Sequence, residues 1–254
     1  MVIPSYEFVD RTLFVYECHT NPNRHWHAPG RSPLRRARSW WPHSPVYPKH
    51  HKEPEVSLAL DQSRIAPRSP WAKVRILETA NELFYQDGIR TVGVDRLISS
   101  SSVTKATFYK HYGSKDKLIN DYITGRHQAM VTFVQGTIET APDAESALRS
   151  LLAAMTADIS RADYRGCPFL NAAAEFPDPA HVVRKVISAH RDWLTDTYTN
   201  LVGDLGHPMP GDAADEIMLA MDGAQSGGYA GDPIAASAAL NRVVERVIAD
   251  AHAK

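Results

Sequence analysis

Residues Val94 to Leu118 read VDRLISSSSVTKATFYKHYGSKDKL, and this stretch decides the fold. Val94, Leu97 and Ile98 make one apolar side of a short helix over about 94–100. Thr104 is a helix cap, and a further helix runs from it to about His111, where Gly113 closes it. Ser114 caps the next helix, with Asp116 well placed against the positive end of its dipole. Upstream, Ser69 caps and Pro70 opens a helix whose apolar positions are Trp71, Val74, Leu77, Ala80 and Phe84, and Gly88 ends it. Three helices followed by a long fourth, within about 65 residues, is a helix-turn-helix layout.

The chemistry of the stretch points to an anion. From Arg96 to Lys115 there is no acidic residue, while Arg96, Lys105, Lys110 and Lys115 are basic. The third helix therefore offers Lys105, Thr107, Tyr109, Lys110 and His111 without a carboxylate to repel a phosphate. Ala106 or Phe108, with Val103 and Tyr112, docks it inward. Small residues near its start let that end sit deep in a major groove, where Lys105 and Thr107 reach base edges. Tyr109 and His111 suit phosphate hydrogen bonds, and the start of the fourth helix with Ser114 and Lys115 forms a second anion site. The plainer reading is a solvated basic helix in an ordinary bundle.

Composition sets the outer limits. The chain has 254 residues, of which 43% are hydrophobic and 22% charged, with 17 prolines against 14 glycines. This is globular composition, which excludes a collagen, a wholly disordered chain and a disulfide miniprotein. Cys18 and Cys167 are the two cysteines, and they suggest neither a disulfide framework nor zinc-ribbon spacing. No apolar run reaches the length of a membrane span, and Glu7, Asp10, Arg11 and Glu17 spoil a signal peptide, so a cytoplasmic location is expected. Charge is uneven. Residues 1–68 carry ten Lys/Arg against six Asp/Glu, and residues 69–121 eight against six. Residues 122–254 carry ten against 17, a net −7 that argues against a large anionic ligand there.

Residues 1–66 read as a disordered extension rich in proline, arginine and histidine, either a real arm along a DNA backbone or translated sequence ahead of the natural start. Beyond the fourth helix, candidate helices cover about 144–162, 168–175, 179–203, 211–229 and 233–252. There is no strand alternation and no repeat, so the expected architecture is all-α. The expected division is a helix-turn-helix DNA-binding domain over 67–116 and a helical effector-binding and dimerisation domain over 117–254.

Ile76 to Ile123 resembles the DNA-binding domain of TetR-family transcriptional regulators. The matching residues are ILETANELFYQDGIRTVGVDRLI and then VTKATFYKHYGSKDKLI. The resemblance implies that Tyr109, His111 and Lys115 hold DNA phosphates and that Lys105 and Thr107 face bases. It also implies a repressor, homodimeric on a palindromic operator and released by a small molecule. Two departures stand out. The turn before Val103 is Ser99 to Ser102 where the family commonly has a glycine, and Ser102 would meet positive φ at a cost of roughly 1 kcal/mol. Gly93 stands where a Ser or Thr cap would be stronger.

In this family the carboxy-terminal domain resembles a helical sensor cage. Residues combining apolar bulk with a polar handle are the pocket candidates: Met155, Phe169, Asn171, Glu175, Phe176, His190, Trp193 and Tyr229. Asn171 and Glu175 are i,i+4 neighbours that one helix face could turn inward. Alternatively these aromatics are simply core. Cys167 reads as a small buried hydrophobe. The last two helices are the expected dimer surface. Ala220, Gly223, Ala224, Gly227 and Gly228 thin the first, and Ala236, Ala239, Leu240, Val243, Val247 and Ile248 line the second.

An enzyme is the first rival, with no nucleophile elbow, phosphate loop or H-E-x-x-H in its favour. A metal module built on Cys18, His19, His25 and His27 is the second, and it lacks the spacing of a tetrahedral site. No catalytic residue, metal ligand or cofactor is expected.

Overall fold

The structure, a computed structural model, describes residues 70–253, with the side chain of Pro70 left aside. The amino-terminal extension, with its Cys/His cluster, and the Ser69 cap lie outside the described residues. Among those described the chain is all-α. α1 is Pro70–Asp87, α2 Val94–Ser100, α3 Lys105–His111 and α4 Lys115–Thr140. α5 Ala144–Ile159, α6 Pro168–Glu175, α7 Val182–Asp204, α8 Pro210–Ala230 and α9 Pro233–His252 follow.

The boundaries have local causes. Gly88 takes φ +88° and ends α1, and Gly113 takes φ +72° after α3. Thr104 Oγ1 accepts from Thr107 N at 3.1 Å, and Ser114 Oγ accepts from Lys117 N at 3.3 Å, so α3 and α4 both begin on a side-chain cap. Gly93 makes no such bond at the start of α2. The α2–α3 turn is a Schellman arrangement in which Val103 N reaches Ile98 O (3.3 Å) and Ser102 N reaches Ser99 O (3.2 Å). It puts Ser102 at φ 52°, the only positive-φ residue other than glycine among those described. Ser101 is 3% exposed and returns its hydroxyl to Leu97 O at 2.6 Å.

Within α3, Phe108 is the inward residue, with no exposed surface, and Tyr112 follows it into the core, whereas Ala106 faces outward. α4, about 39 Å long at 1.5 Å per residue, joins the two halves. Its first turns pack on α1 through Phe84 and Tyr122 (edge to face, 5.4 Å between centroids), and further along it meets α5 and α7. Arg126 is buried at this seam, 5.4 Å from the centroids of both Tyr85 and Tyr122, and donates to Asn81 O at 3.2 Å. Buried side chains from Ile76 in α1 to Ile248 in α9 form one continuous core.

α8 and α9 make the most extensive helix pair. Gly227 lies close to Ala236, and a Cβ on Gly228 would come within 2.4 Å of Ile159 Cγ2, so the small residues near the end of α8 serve approach to α9 and α5. Leu240, Val247 and Ile248 are buried within the subunit, while Ala239 stays exposed and Val243 half-buried. Leu219 (70% exposed) and Ile234 (80%) leave apolar surface on the outer side of the pair.

Candidate DNA interface and effector cavity

Lys105, Tyr109 and Lys110 project from α3 into solvent, and none of the three makes an ion pair or side-chain hydrogen bond among the described residues. His111 and Ser114 are half-buried beside them. Thr107 is partly engaged, its hydroxyl 2.8 Å from that of Thr104. Arg96 is neutralised by Asp87 at 2.7 Å, an ion pair that an acid-free reading of residues 96–115 does not reveal. Lys115 turns back toward the protein. Its Nζ donates to Ile89 O at 2.6 Å and lies 5.9 Å from the Phe84 ring centroid. Burial lowers its pKa, opposed by the charges of Glu175 and Asp116. Lys115 thus holds the α1–α2 turn whatever else it touches.

The same turn is gripped from the other half of the molecule. Glu175, the last residue of α6, accepts from Ile89 N through Oε1 at 2.8 Å and from Arg90 N through Oε2 at 2.6 Å. At the opposite end of the α6 segment, Tyr85 donates its hydroxyl to Gly166 O (3.1 Å) and accepts from Arg165 N (2.9 Å). Arg165 Nε reaches Gln86 O at 3.1 Å. The end of α1 and the turn after it are therefore bonded to the segment that leads into α6 and to the last residue of α6.

A narrow cavity lies between α4, α5, α6, α7 and α8, with about 40 Å³ open to the centre of a water molecule. That is room for a few waters at most. Met130, Met155, Met218 and Met221 supply much of its apolar wall, and Phe169 and Leu170 bring α6 to its surface. The polar groups are His190, Arg191, Tyr198, Asp222 and Gln225, with the Cys167 thiol beside them. His190 is 4% exposed, stacks on Phe169 with centroids 3.7 Å apart, and meets His127 Nδ1 to Nδ1 at 3.1 Å. Burial, then the neighbouring His127 and Arg191, push its pKa down to about 3, so it is neutral at physiological pH. Arg191 and Asp222 pair at 2.8 Å. Gln225 Nε2 faces Met155 Sδ at 3.7 Å, and its Oε1 is buried with no hydrogen-bond partner. Burial also pushes the Cys167 thiol up to about 11, which keeps it protonated.

Of the residues expected at a pocket, Met155, Phe169 and His190 line this cavity. The other five do not. Asn171 is exposed and donates to Arg165 O at 2.7 Å, so it and Glu175 do not turn inward together. Phe176 stacks on His181 at 4.6 Å, and Trp193 packs edge-on to His127 at 5.6 Å. Tyr229 is 45% exposed beneath the Arg165 guanidinium. For Asn171, Glu175 and Phe176 the reason is the shortness of α6: only its first turn reaches the cavity, and its last turn reaches α1. Sequence reasoning missed Arg191, Asp222 and Gln225 of the lining, and His127, which stands behind the wall against His190. His127 lies three and seven residues before Met130 and Val134, a helical register that could have placed it on the inner face of α4.

Residues 76–122 match the family described as bacterial regulatory proteins, tetR family. A TetR-family transcriptional regulator from Streptomyces coelicolor is 35% identical, with a TM-score of 0.70, over 73% of this chain and 98% of that one. The chain therefore belongs to the TetR family of transcriptional regulators, and α1–α3 contain its DNA-binding helix-turn-helix. A TetR-family regulator from Agrobacterium tumefaciens shares the fold at 20% identity, with a TM-score of 0.63, over 69% of this chain and 96% of that one. A tetR-type regulator from Streptomyces avermitilis does so at 22% identity, with a TM-score of 0.60, over 69% and 97%. No curated protein matches the chain. No described helix is long and apolar enough to cross a membrane.

Proposed function

We propose that the chain is a homodimeric repressor that binds a palindromic operator and is released from it by a small molecule held in the cavity between α4 and α8. One observation carries the release step. α6 brings Phe169 and Leu170 to the cavity wall and, at its last residue, holds the backbone of Ile89 and Arg90 through Glu175. A ligand that spreads the cavity displaces α6, and with it the turn that orients α2 and α3. A ligand shifts this balance only by as much as it prefers the spread state.

In this reading Lys105 and Thr107 face bases, while Tyr109, Lys110, His111 and Ser114 meet phosphates. Lys115 orders the turn and adds charge behind them. The helix-turn-helix domain then comprises about 67–116 and the sensor 117–254. The exposed apolar side chains Leu219 and Ile234 favour a dimer through the outer side of α8 and α9. A two-fold dimer sets its α3 helices about 34–36 Å apart, or at a longer helical multiple, to meet successive major grooves. The cytoplasm is the compartment where such a protein works.

Selection of bound duplexes from a random DNA pool by the full chain tests the reading. Enrichment of a palindrome, with affinity falling steeply as salt rises, is the expected result. Failure to enrich any sequence, at low salt and without added ligand, would leave a helical ligand-binding dimer in place of a repressor.

A further inference from the structure

The cavity has a definite chemical bias. Its charges are already spent, since Arg191 and Asp222 pair with each other at 2.8 Å. His190 stays uncharged, because burial pushes its pKa down to about 3 and both His127 and Arg191 oppose a further positive charge beside them. An anion entering here would find no free cation among the lining groups. A cation would find no free carboxylate. Each would leave water without an ionic partner, which a buried charge does not tolerate.

Of the uncharged groups that remain, Gln225 is the one with a buried acceptor that has no partner. The thioether of Met155 is a weak acceptor, so the Gln225 amide turns its NH₂ toward that sulfur at 3.7 Å and leaves Oε1 buried without a donor. Rotating the amide by half a turn would set oxygen against sulfur and strand the NH₂ instead. A buried acceptor without a donor is costly, and a ligand that supplies the donor recovers that cost. Around Gln225 the wall is methionine-rich, with Met130, Met155, Met218 and Met221. Unbranched thioether chains repack around an inserted group at low cost, so the small cavity can widen for a rigid apolar body.

Resting on the reading of this cavity as the effector site, we infer that the effector is a neutral, largely apolar molecule of bicyclic size carrying a hydroxyl or N–H that donates to Gln225 Oε1. A purely apolar cavity would rank ligands by hydrophobicity alone. This one ranks a donor above its more hydrophobic parent.

Calorimetric titration of the full chain with five matched probes tests this: naphthalene, naphthol, methoxynaphthalene, naphthoate and naphthylmethylammonium. Naphthol is expected to bind at least tenfold tighter than naphthalene and methoxynaphthalene, and the two ions weakest. In Gln225→Leu, naphthalene binding should persist while the naphthol advantage falls to about twofold or less; Gln225→Met provides the same test with an unbranched side chain. Naphthalene, methoxynaphthalene or either ion binding as tightly as naphthol overturns the inference and leaves the effector cavity standing. A naphthol preference retained in both variants overturns the role of Gln225. Binding of none of the five overturns the cavity reading itself, and the inference with it.

Discussion

The Glu175 carboxylate accepts from Ile89 N at 2.8 Å, and with its second oxygen takes Arg90 N as well, so the last residue of α6 closes the open end of the α1–α2 turn. Hydrogen bonds to a charged acceptor are worth about 1.5–3 kcal/mol each. Replacing Glu175 with Gln leaves one good acceptor and sets an NH₂ against the other amide. We expect a loss of about 1–3 kcal/mol in urea denaturation and a weakened hold of any cavity ligand over operator binding. An operator titration that responds to ligand as in wild type would remove Glu175 from the coupling path.

Ser102→Gly should stabilise the protein. Serine at φ 52° gives up about 1 kcal/mol that glycine does not, partly offset by glycine's greater freedom when unfolded. The net gain should be about 0.5–1 kcal/mol, read as a raised denaturation midpoint with an unchanged slope. Operator affinity should hold or rise, since the turn only sharpens. A midpoint that falls would mean that the Ser102 side chain makes a contribution beyond its backbone angle.

How far the residues announced their own structure depends on the range of the cause. The ends of α2, α3 and α4 were legible because Thr104, Ser114 and Gly113 act within four residues of themselves, while the positive φ at Ser102 was legible only through the glycine that the family commonly has in that turn. The candidate recognition surface was legible for the same reason: Lys105, Tyr109 and Lys110 share a short helix whose inward residue is Phe108. The cavity was not, because its wall is set by which faces of α4, α5, α7 and α8 meet. Glu175 was read as a ligand handle because its partners are backbone N–H groups 85 or 86 residues away, which no side-chain pattern displays.

Acid should expose His190. Its native pKa lies near 3 against an ordinary 6.5, so between those values the unfolded chain binds a proton that the native one refuses. Stability is therefore full above about pH 6.5 and is lost as pH falls, with a slope approaching about 1.4 kcal/mol per pH unit for one such group. His127, lowered by burial on its own helix, adds in the same direction. Chemical denaturation at pH 5.0, 5.5, 6.0 and 6.5 should show this slope in wild type and a shallower one in His190→Phe. Parallel slopes would place the titration elsewhere.

On DNA, Tyr109→Phe should weaken operator and random duplex by similar factors, because a phosphate contact carries no sequence. Lys105→Ala should instead change which duplexes are preferred, with a penalty of about 1–3 kcal/mol confined to particular base pairs. Equal losses on all sequences would sink its base-reading role. Lys115→Ala should lower affinity and also stability, since its ammonium holds Ile89 O at 2.6 Å. Measuring both on the same preparation separates it from Tyr109, for which stability should not move.

The core that runs unbroken from Ile76 to Ile248 bears on how such proteins diversify. A DNA-reading head that shares its interior with the sensor cannot be exchanged between relatives as a cassette cut at the start of α4. A viable chimera has to carry Phe84 with Tyr122, Tyr85 with the Arg165–Gly166 backbone, and the Ile89–Arg90 turn with Glu175 across the graft together. New operator specificity in this lineage is then expected to arise by substitution on the outer face of α3, where the exposed, base-facing Lys105 can change without disturbing a single packed neighbour of the sensor.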